Sequence, residues 1–532
     1  MTHVVVVADR IAEAGFKLLR ETPALEVVPV IGDPAALRRA LPRAHALVVR
    51  SDTEVTAELI ELGSQLRVIG RAGIGVDNID VPAATRRGIA VLNAPGANTV
   101  SAAEHTFAVL LALVRRIPWA AQSMRSGAWD RKAFSGTELR GKVLGVIGMG
   151  RIGAHVTTIA RAFGMKVVAH DPYLTELRAQ ALSVELLGLE DLLGRVDVVT
   201  LHLPLSDATR HLLNAQRLGA MKPTAVLVNT ARGELVDEMA LLEAVEGKRI
   251  AGAALDVFSE EPLPAASPLR KSERIILTPH LAASTAEAQE RVALEICGAV
   301  RDALLGGDVA GAVNVPGVSA EVMRRVRPLL DVARRLGRLA TTLAGGRVDG
   351  IEVGYGGTDQ EAPRPVELAA AEGALGAMGV GPVSLVNAQP LAQERGIVLT
   401  RHVGPPLAGF ETTLAVTVRA GGRSVSVVGA LVADRGRIVR IDGFTVDVPA
   451  EGYLIVLRNR DVPGVIGRVG TVLGEAAANI AFYHQSRRPA PDGSTALAAI
   501  SIDHPPGGEV LDRLARLPDV TEVSFADLNG GR

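Results

Sequence analysis

Three side chains of complementary chemistry follow the ends of successive apolar runs in the middle of this 532-residue chain: Arg232 in NTARGE, Glu261 in DVFSEEP and His280 in ILTPH. Histidine is the side chain best suited to exchange a proton at neutral pH. A carboxylate beside it fixes the ring tautomer and stabilises the charged form. A guanidinium can grip a carboxylate with two parallel hydrogen bonds while polarising a reacting carbonyl. Together they suit interconversion of an alcohol and a carbonyl next to a carboxylate, with the hydroxyl proton passing to His280. Such chemistry needs a hydride carrier.

A second motif offers a place for one. In VLGVIGMGRIGAHVTTIARAFGMKVVAHD, residues 143–171, an apolar strand runs into Gly148, Gly150 and Gly153, spaced GxGxxG around Arg151 and Ile152, and a helix follows. The first glycine makes the tight turn, the second lets backbone approach a pyrophosphate, and the third lets helix and strand pack closely. The pyrophosphate then meets the free N–H groups at the helix N-terminus. Asp171 ends the next strand, where a carboxylate can accept from a ribose 2′-hydroxyl. That carboxylate would repel a 2′-phosphate and no arginine immediately follows it, so the expected cofactor is NAD rather than NADP.

These residues must be held by more than one core, since the length is enough for three to four domains. From residue 1 to 98, runs such as VVVVA, LEVVPV and ALVVR alternate with helical stretches, the pattern of a parallel α/β domain. Six further strand-like runs with helical intervals, within 99–285, predict a doubly wound Rossmann-type sheet. Because the glycine turn begins so late, this cofactor domain is expected to be inserted into the first, with 286–316 returning to it. The apolar helix starting at Thr99 carries Glu104, His105 and two late arginines, and its apolar core is too short to span a bilayer. It reads as a buried domain-connecting helix or an interface.

Beyond Pro316 a linker is expected, then a mixed α/β module over 317–449 that opens on an amphipathic helix, Met323 to Arg338. Its arginines form either a solvated face or an anion site. Residues 450–532 read βαββαβ, with an exposed hairpin tip at RRPAPDGS.

Composition narrows the function classes. The net charge of −1 gives no electrostatic footprint for nucleic acid or an anionic membrane. The single cysteine, Cys297, excludes an intrachain disulfide and a cysteine-cluster metal site, and no metal is expected. No secretory signal is visible at MTHVVVVADR, and a cytoplasmic protein is expected.

The glycine turn, NTARG, DVFSEEPLP and TPHLAAST, in this order, closely resemble the D-2-hydroxyacid dehydrogenases. In that family the matching arginine binds the substrate carboxylate, the glutamate supports the histidine, and the histidine is the acid–base, which implies those roles for Arg232, Glu261 and His280. VVRSDTEV, GRAGIGVDNID and NAPGANTVSAAEH are similar to the family's substrate-domain segments, of flavodoxin-like fold. They imply substrate contacts at Ser51, Gly73, Ile74, Gly75 and Asn98, and the resemblance adds Thr230, Asp256 and Ala282 on the cofactor side. It narrows to the members that oxidise 3-phosphoglycerate at the entry to serine synthesis, which implies that Arg50, Arg71 and Arg131 bind or lie near the substrate phosphate, with Lys132 assisting. One departure is Ala282, where the family usually has glycine.

The last module resembles the ACT family of amino-acid-binding regulatory units, with RNRDVPGVIGRVG as its signature and Gly464 and Gly467 permitting close approach. The match implies L-serine as effector, contacted by Asn459, Asp461 and Asn479 at paired interfaces of a homodimer or tetramer. Residues 317–449 resemble the intervening domain of the family's long forms. Two rivals remain: a glyoxylate or hydroxypyruvate reductase, which would not need the phosphate arginines, and an NAD-sensing regulatory protein, against which the intact triad counts.

Overall fold

Short β-branched runs that are apolar at every position become strands buried on both faces. In the computed structural model, which describes residues 2–306, 309, 311–315, 320–488 and 494–529, five of them form a parallel sheet: β1 His3–Val7, β2 Leu25–Pro29, β3 Ala46–Val49, β4 Val68–Arg71 and β5 Ala90–Leu92. Their order is β2-β1-β3-β4-β5, which is flavodoxin-like. The helix Thr99–Val114 leads from this sheet to a second, all-parallel one. Its strands are β6 Val143–Ile147, β7 Lys166–His170, β8 Glu185–Leu186, β9 Val198–Leu201, β10 Val226–Asn229, β11 Gly252–Leu255 and β12 Ile275–Leu277, ordered β12-β11-β10-β9-β6-β7-β8. The sequence pattern shows six of these seven; the two-residue β8 leaves no periodic signal.

The helix Ala286–Gly306 returns to the first sheet. A Cβ added at Gly70 would lie 2.6 Å from Val300 Cγ2, and one at Gly15 would lie 2.9 Å from Ala293 Cβ, so glycine permits this close docking. After it, Val313 N donates to Val91 O (2.7 Å), and Asn314 accepts from Val91 N (3.0 Å) and donates to Ile89 O (2.9 Å). The expected linker at Pro316 lies outside the described residues.

The amphipathic helix proves longer than its sequence pattern, Ala320–Ala344. Two of its arginines are spent on carboxylates of the same module, Arg325 on Asp359 and Glu361 and Arg334 on Asp331 and Glu372, while Arg335 reaches Glu451 of the last module at 3.9 Å. It packs on a six-stranded sheet of β13 Val348–Gly356, β14 Val398–Gly404, β15 Thr413–Ala420, β16 Arg423–Val432, β17 Arg435–Ile441 and β18 Phe444–Pro449, in the order β14-β13-β15-β16-β17-β18. The last module has β19 Tyr453–Arg460, β20 Ile480–Arg488, β21 Thr495–Ile502 and β22 Val520–Asp527, antiparallel in the order β20-β21-β19-β22. Its helices are Val465–Glu475 and Gly508–Ala515, giving the βαββαβ order; residues 489–493 of the expected hairpin tip lie outside the described residues.

One face of this last sheet, with Ile455, Leu457 and Ile500, packs under its own helices. The other, with Val456, Leu497 and Ala499, joins a single apolar core that runs through the intervening module to Val5, Phe16 and Ile296 of the first lobe. Ser384 Oγ adds a polar stitch across that junction, donating to Gly88 O at 2.9 Å. Among the described residues no helix is long and apolar enough to cross a membrane, and no cluster of His, Cys, Asp or Glu could hold a metal.

Candidate active site

The carboxyl ends of strands in the two parallel sheets face one another across a cleft of about 890 Å³. β4 ends at Arg71 and turns through Gly73–Asn78 on one wall, while the segments after β10, β11 and β12 carry Arg232, Glu261 and His280 on the other.

His280 Nδ1 lies 2.7 Å from Glu261 Oε2, and the other Glu261 oxygen accepts from Phe258 N at 3.0 Å. Burial pushes the Glu261 carboxyl up, but the hydrogen bonds from His280 and Phe258 prevail and hold it below the usual carboxylate range. A carboxylate at Nδ1 requires a proton there, which leaves Nε2 as the basic nitrogen of the neutral ring. The ring is aimed by an unusual backbone: His280 has φ +53°, a left-handed conformation that costs a residue with a side chain roughly 1 kcal/mol. Asp256 holds that turn. Its carboxylate is fully buried and accepts from Thr278 Oγ1 (2.6 Å), Leu281 N (2.8 Å) and Ala282 N (2.9 Å), and its main-chain oxygen accepts from His280 N (2.8 Å). The sequence reading has Asp256 on the cofactor; the structure engages its carboxylate with the histidine loop.

Arg232 is positioned by a residue that the sequence reading missed. Asn229, fully buried at the end of β10, donates to Arg232 O (2.7 Å) and accepts from Ala231 N (3.1 Å). A buried asparagine ending an apolar run, in AVLVNTA, was the available signal. Across the cleft Arg232 Nε donates to Asp77 Oδ2 at 2.9 Å, tying the two lobes together. The glycines opposite leave room for the two guanidinium groups, which a side chain there would displace. A Cβ at Gly75 would lie 1.8 Å from Arg232 Nη2, and one at Gly73 only 1.5 Å from Arg71 Nη1.

Arg71 is the least satisfied charge in the cleft. Its Nε is buried without a partner, and its Nη1 reaches only Ala72 O at 3.5 Å. Burial, and then the nearby Arg232 and Arg50, pull its pKa down to about 10 despite Asp77 and Asp9. Arg50, Ser51, Ile74 and Asn98 line the same wall, and the buried Asn98 Oδ1 also lacks a partner. Arg131 and Lys132 do not join them: both are exposed on the segment before β6, outside the cleft.

The glycine turn fits a pyrophosphate. Gly148 has φ +95°, and a Cβ at Gly153 would collide with Gly148 O at 2.1 Å. At Gly150 an added Cβ would meet nothing within 4 Å, and the helix Arg151–Ala162 begins there with no side-chain cap. Arg151 is exposed and Ile152 lines the cleft. Asp171 accepts from Met149 N (2.8 Å), which places the acid beside the turn. Thr230 meets Thr106 (2.9 Å), and the Ala282 methyl is accommodated in a buried position lining the cleft.

Within one chain the three expected effector residues do not meet. Asn459 shares a cross-strand row with Ala496 and Arg487, and Asp461 pairs with Arg487 (3.3 Å). Asn479 precedes the opposite end of β20 and donates to Asp503 (2.7 Å), about six residues along the sheet, or roughly 20 Å. Asn459 is buried and its Oδ1 has no partner.

Comparison with known proteins assigns the modules. Residues 107–282 match the family described as D-isomer specific 2-hydroxyacid dehydrogenase, NAD binding domain; residues 325–442 match the D-3-phosphoglycerate dehydrogenase intervening domain; residues 453–519 match the ACT domain. The chain is 40% identical to D-3-phosphoglycerate dehydrogenase of Synechocystis sp. over 522 residues, covering 98% of this chain and 94% of that protein. It is 38% identical to the Bacillus subtilis enzyme of the same name, over 98% of this chain and 99% of the other. Among solved structures, a glyoxylate reductase from Paecilomyces thermophila (30% identity, TM-score 0.54) covers 59% of this chain and 98% of its own. An Aquifex aeolicus D-lactate dehydrogenase (30%, 0.52) covers 58% and 96%.

Proposed function

The chain belongs to the D-3-phosphoglycerate dehydrogenases of the D-2-hydroxyacid dehydrogenase family, and on that premise we propose how its cleft oxidises 3-phosphoglycerate to 3-phosphohydroxypyruvate. NAD, when bound, supplies the acceptor for the hydride lost from C2. Gly148, Gly150, Gly153 and the start of the helix Arg151–Ala162 would hold its pyrophosphate, and Asp171 its ribose. Arg232 grips the substrate carboxylate and polarises the carbonyl as it forms. His280 Nε2 takes the hydroxyl proton, and Glu261 stabilises the resulting imidazolium. Arg50 and Arg71 hold the phosphate, and the N–H groups of Gly73–Gly75 approach the substrate anion. Closure of the lobes excludes water from the transfer.

The observation that carries the reading is the underpaired Arg71 beside Arg232, in the same cleft as the His280–Glu261 pair. A cation so desolvated calls for an anion. Arg131, being outside this cleft, would serve the phosphate from a neighbouring copy. Exposed Ile117, Met124 and Trp129 nearby supply apolar surface for a homo-oligomeric, cytoplasmic enzyme. L-Serine would sit between two terminal modules, with Asn459 and Asp461 from one copy and Asn479 from the other. The test compares kcat/KM for 3-phosphoglycerate and for D-glycerate with NAD. At least a hundredfold preference for the phosphorylated acid is expected, and equal values would remove the phosphate assignment.

A further inference from the structure

The helix Thr99–Val114 joins the two lobes and is apolar along most of its buried surface, with Ala102, Ala103, Phe107 and Leu110 in the core. Three polar side chains interrupt that surface: Ser101, His105 and Thr106. Their spacing of four and then one places them on adjoining sides of the helix. Buried polar groups persist where they have partners, and all three find theirs on the loops that carry the catalytic candidates. Ser101 Oγ donates to Ala282 O (2.7 Å). Thr106 Oγ1 lies 2.9 Å from Thr230 Oγ1, two residues before Arg232. His105 Nε2 lies 3.1 Å from Asp256 Oδ1 and 3.4 Å from Thr278 Oγ1.

The His105 contact differs from the others in what it holds. Asp256 is the hub of the histidine loop, and its remaining hydrogen-bonded donors, Thr278, Leu281 and Ala282, all belong to that loop. These bonds fasten the loop to the end of β11, where Asp256 sits, and Ser101 fastens its far end to the helix Thr99–Val114. His105 ties Asp256 itself to that helix, and because its acceptor is a carboxylate, Nε2 must carry the proton. Burial works to raise the Asp256 carboxyl, whereas the bonds from His105, Thr278 and Leu281 hold it below the ordinary range and preserve it as the anion that all these donors need.

We propose that His105 is a positioning residue for the dehydrogenase reaction: by donating to Asp256 it anchors the 278–282 loop, and so fixes the left-handed turn that points the His280 ring into the cleft. The proposal rests on the assignment of His280 as the acid–base.

The test uses His105→Leu, which removes the donor, and His105→Gln, whose side-chain nitrogen is the same number of bonds from Cβ as Nε2. For His105→Leu, kcat should fall at least tenfold with KM for 3-phosphoglycerate within threefold of the parent. His105→Gln should recover kcat to within threefold of the parent. If His105→Leu does not fold, His105→Asn, whose amide stops short of Asp256, replaces it with the same expectation. Three results would overturn the idea: kcat of the donor-less variant within twofold of the parent, an effect on KM alone, or a glutamine variant as impaired as the leucine one. His280→Ala is measured alongside. Near-parental turnover there removes the acid–base assignment itself, whereas a large loss there with an unaffected His105→Leu removes only the anchor.

Discussion

Arg71→Met should make the protein more stable and a worse enzyme. The guanidinium sits beside Arg232 and Arg50 with its Nε buried and unpartnered, and its pKa is pulled down to about 10. At 1.4 kcal/mol per decade, a fall of more than two decades disfavours the charged form by roughly 3 kcal/mol in the folded protein. Methionine keeps an unbranched side chain in the same groove and discards the charge. After some lost packing, a net gain of about 1–2 kcal/mol remains, enough to raise the melting temperature of the ligand-free protein by a few degrees. The same substitution removes charge-assisted hydrogen bonds to a substrate anion, worth roughly 2–3 kcal/mol, so kcat/KM should drop about 30- to 140-fold. Thermal melts with and without 3-phosphoglycerate, and steady-state kinetics on 3-phosphoglycerate and D-glycerate, read both effects. Substrate should shift the parent's melting point more than the variant's. A fall of several degrees would refute the argument from the buried charge, and kcat/KM within threefold of the parent would refute the anion site.

Two further outcomes follow from particular contacts. Asp171→Ser should relax cofactor choice, raising NADP-supported turnover relative to NAD at least tenfold, and an unchanged ratio of kcat/KM for the two cofactors would show that the carboxylate does not discriminate. Glu261 is held below the ordinary carboxylate range in the folded protein, so the stability it adds is complete above that range and is lost as pH falls through its lowered pKa; because the pair is partly open to the cleft this amounts to less than about 1 kcal/mol. Melting temperatures between pH 3 and 6 should therefore fall more steeply for the parent than for Glu261→Gln, and parallel curves would count against the coupling.

Much of this was legible in the chain because the signals are local. The turn at Gly148–Gly153, the acid at Asp171 and the strand-end triad each occupy a few consecutive residues with distinctive types, and the parallel-sheet topology carries them to the carboxyl ends of the strands, where Ile152 and the triad line one cleft. The Arg232–Asp77 bridge spans 155 positions, and the two lobes had to be placed before it could be seen. The hydrogen bonds of Asp256 were hidden for a similar reason: its partners at Thr278, Leu281 and Ala282 are mostly hydroxyl and main-chain groups, which leave no mark in side-chain pattern. In the intervening module β13, β14 and the helix Pro363–Ala377 were not resolved from sequence. That helix is buried on almost every side, so it lacks the polar stripe that announces a surface helix.

The single apolar core that runs from Val5 through the helix Ala320–Ala344 to Val456 gives the C-terminal half a thermodynamic hold on the N-terminal half. Modules joined by flexible tethers melt independently, but those that share a hydrophobic interior must lose it together. The substrate lobe therefore borrows stability from a region with no catalytic candidate. A core substitution in the intervening module, far from His280, would be felt as loosening of the sheet that bears Arg71. For this chain, the sequence that can be trimmed without harm to catalysis is set by the interior rather than by the positions of the active-site residues.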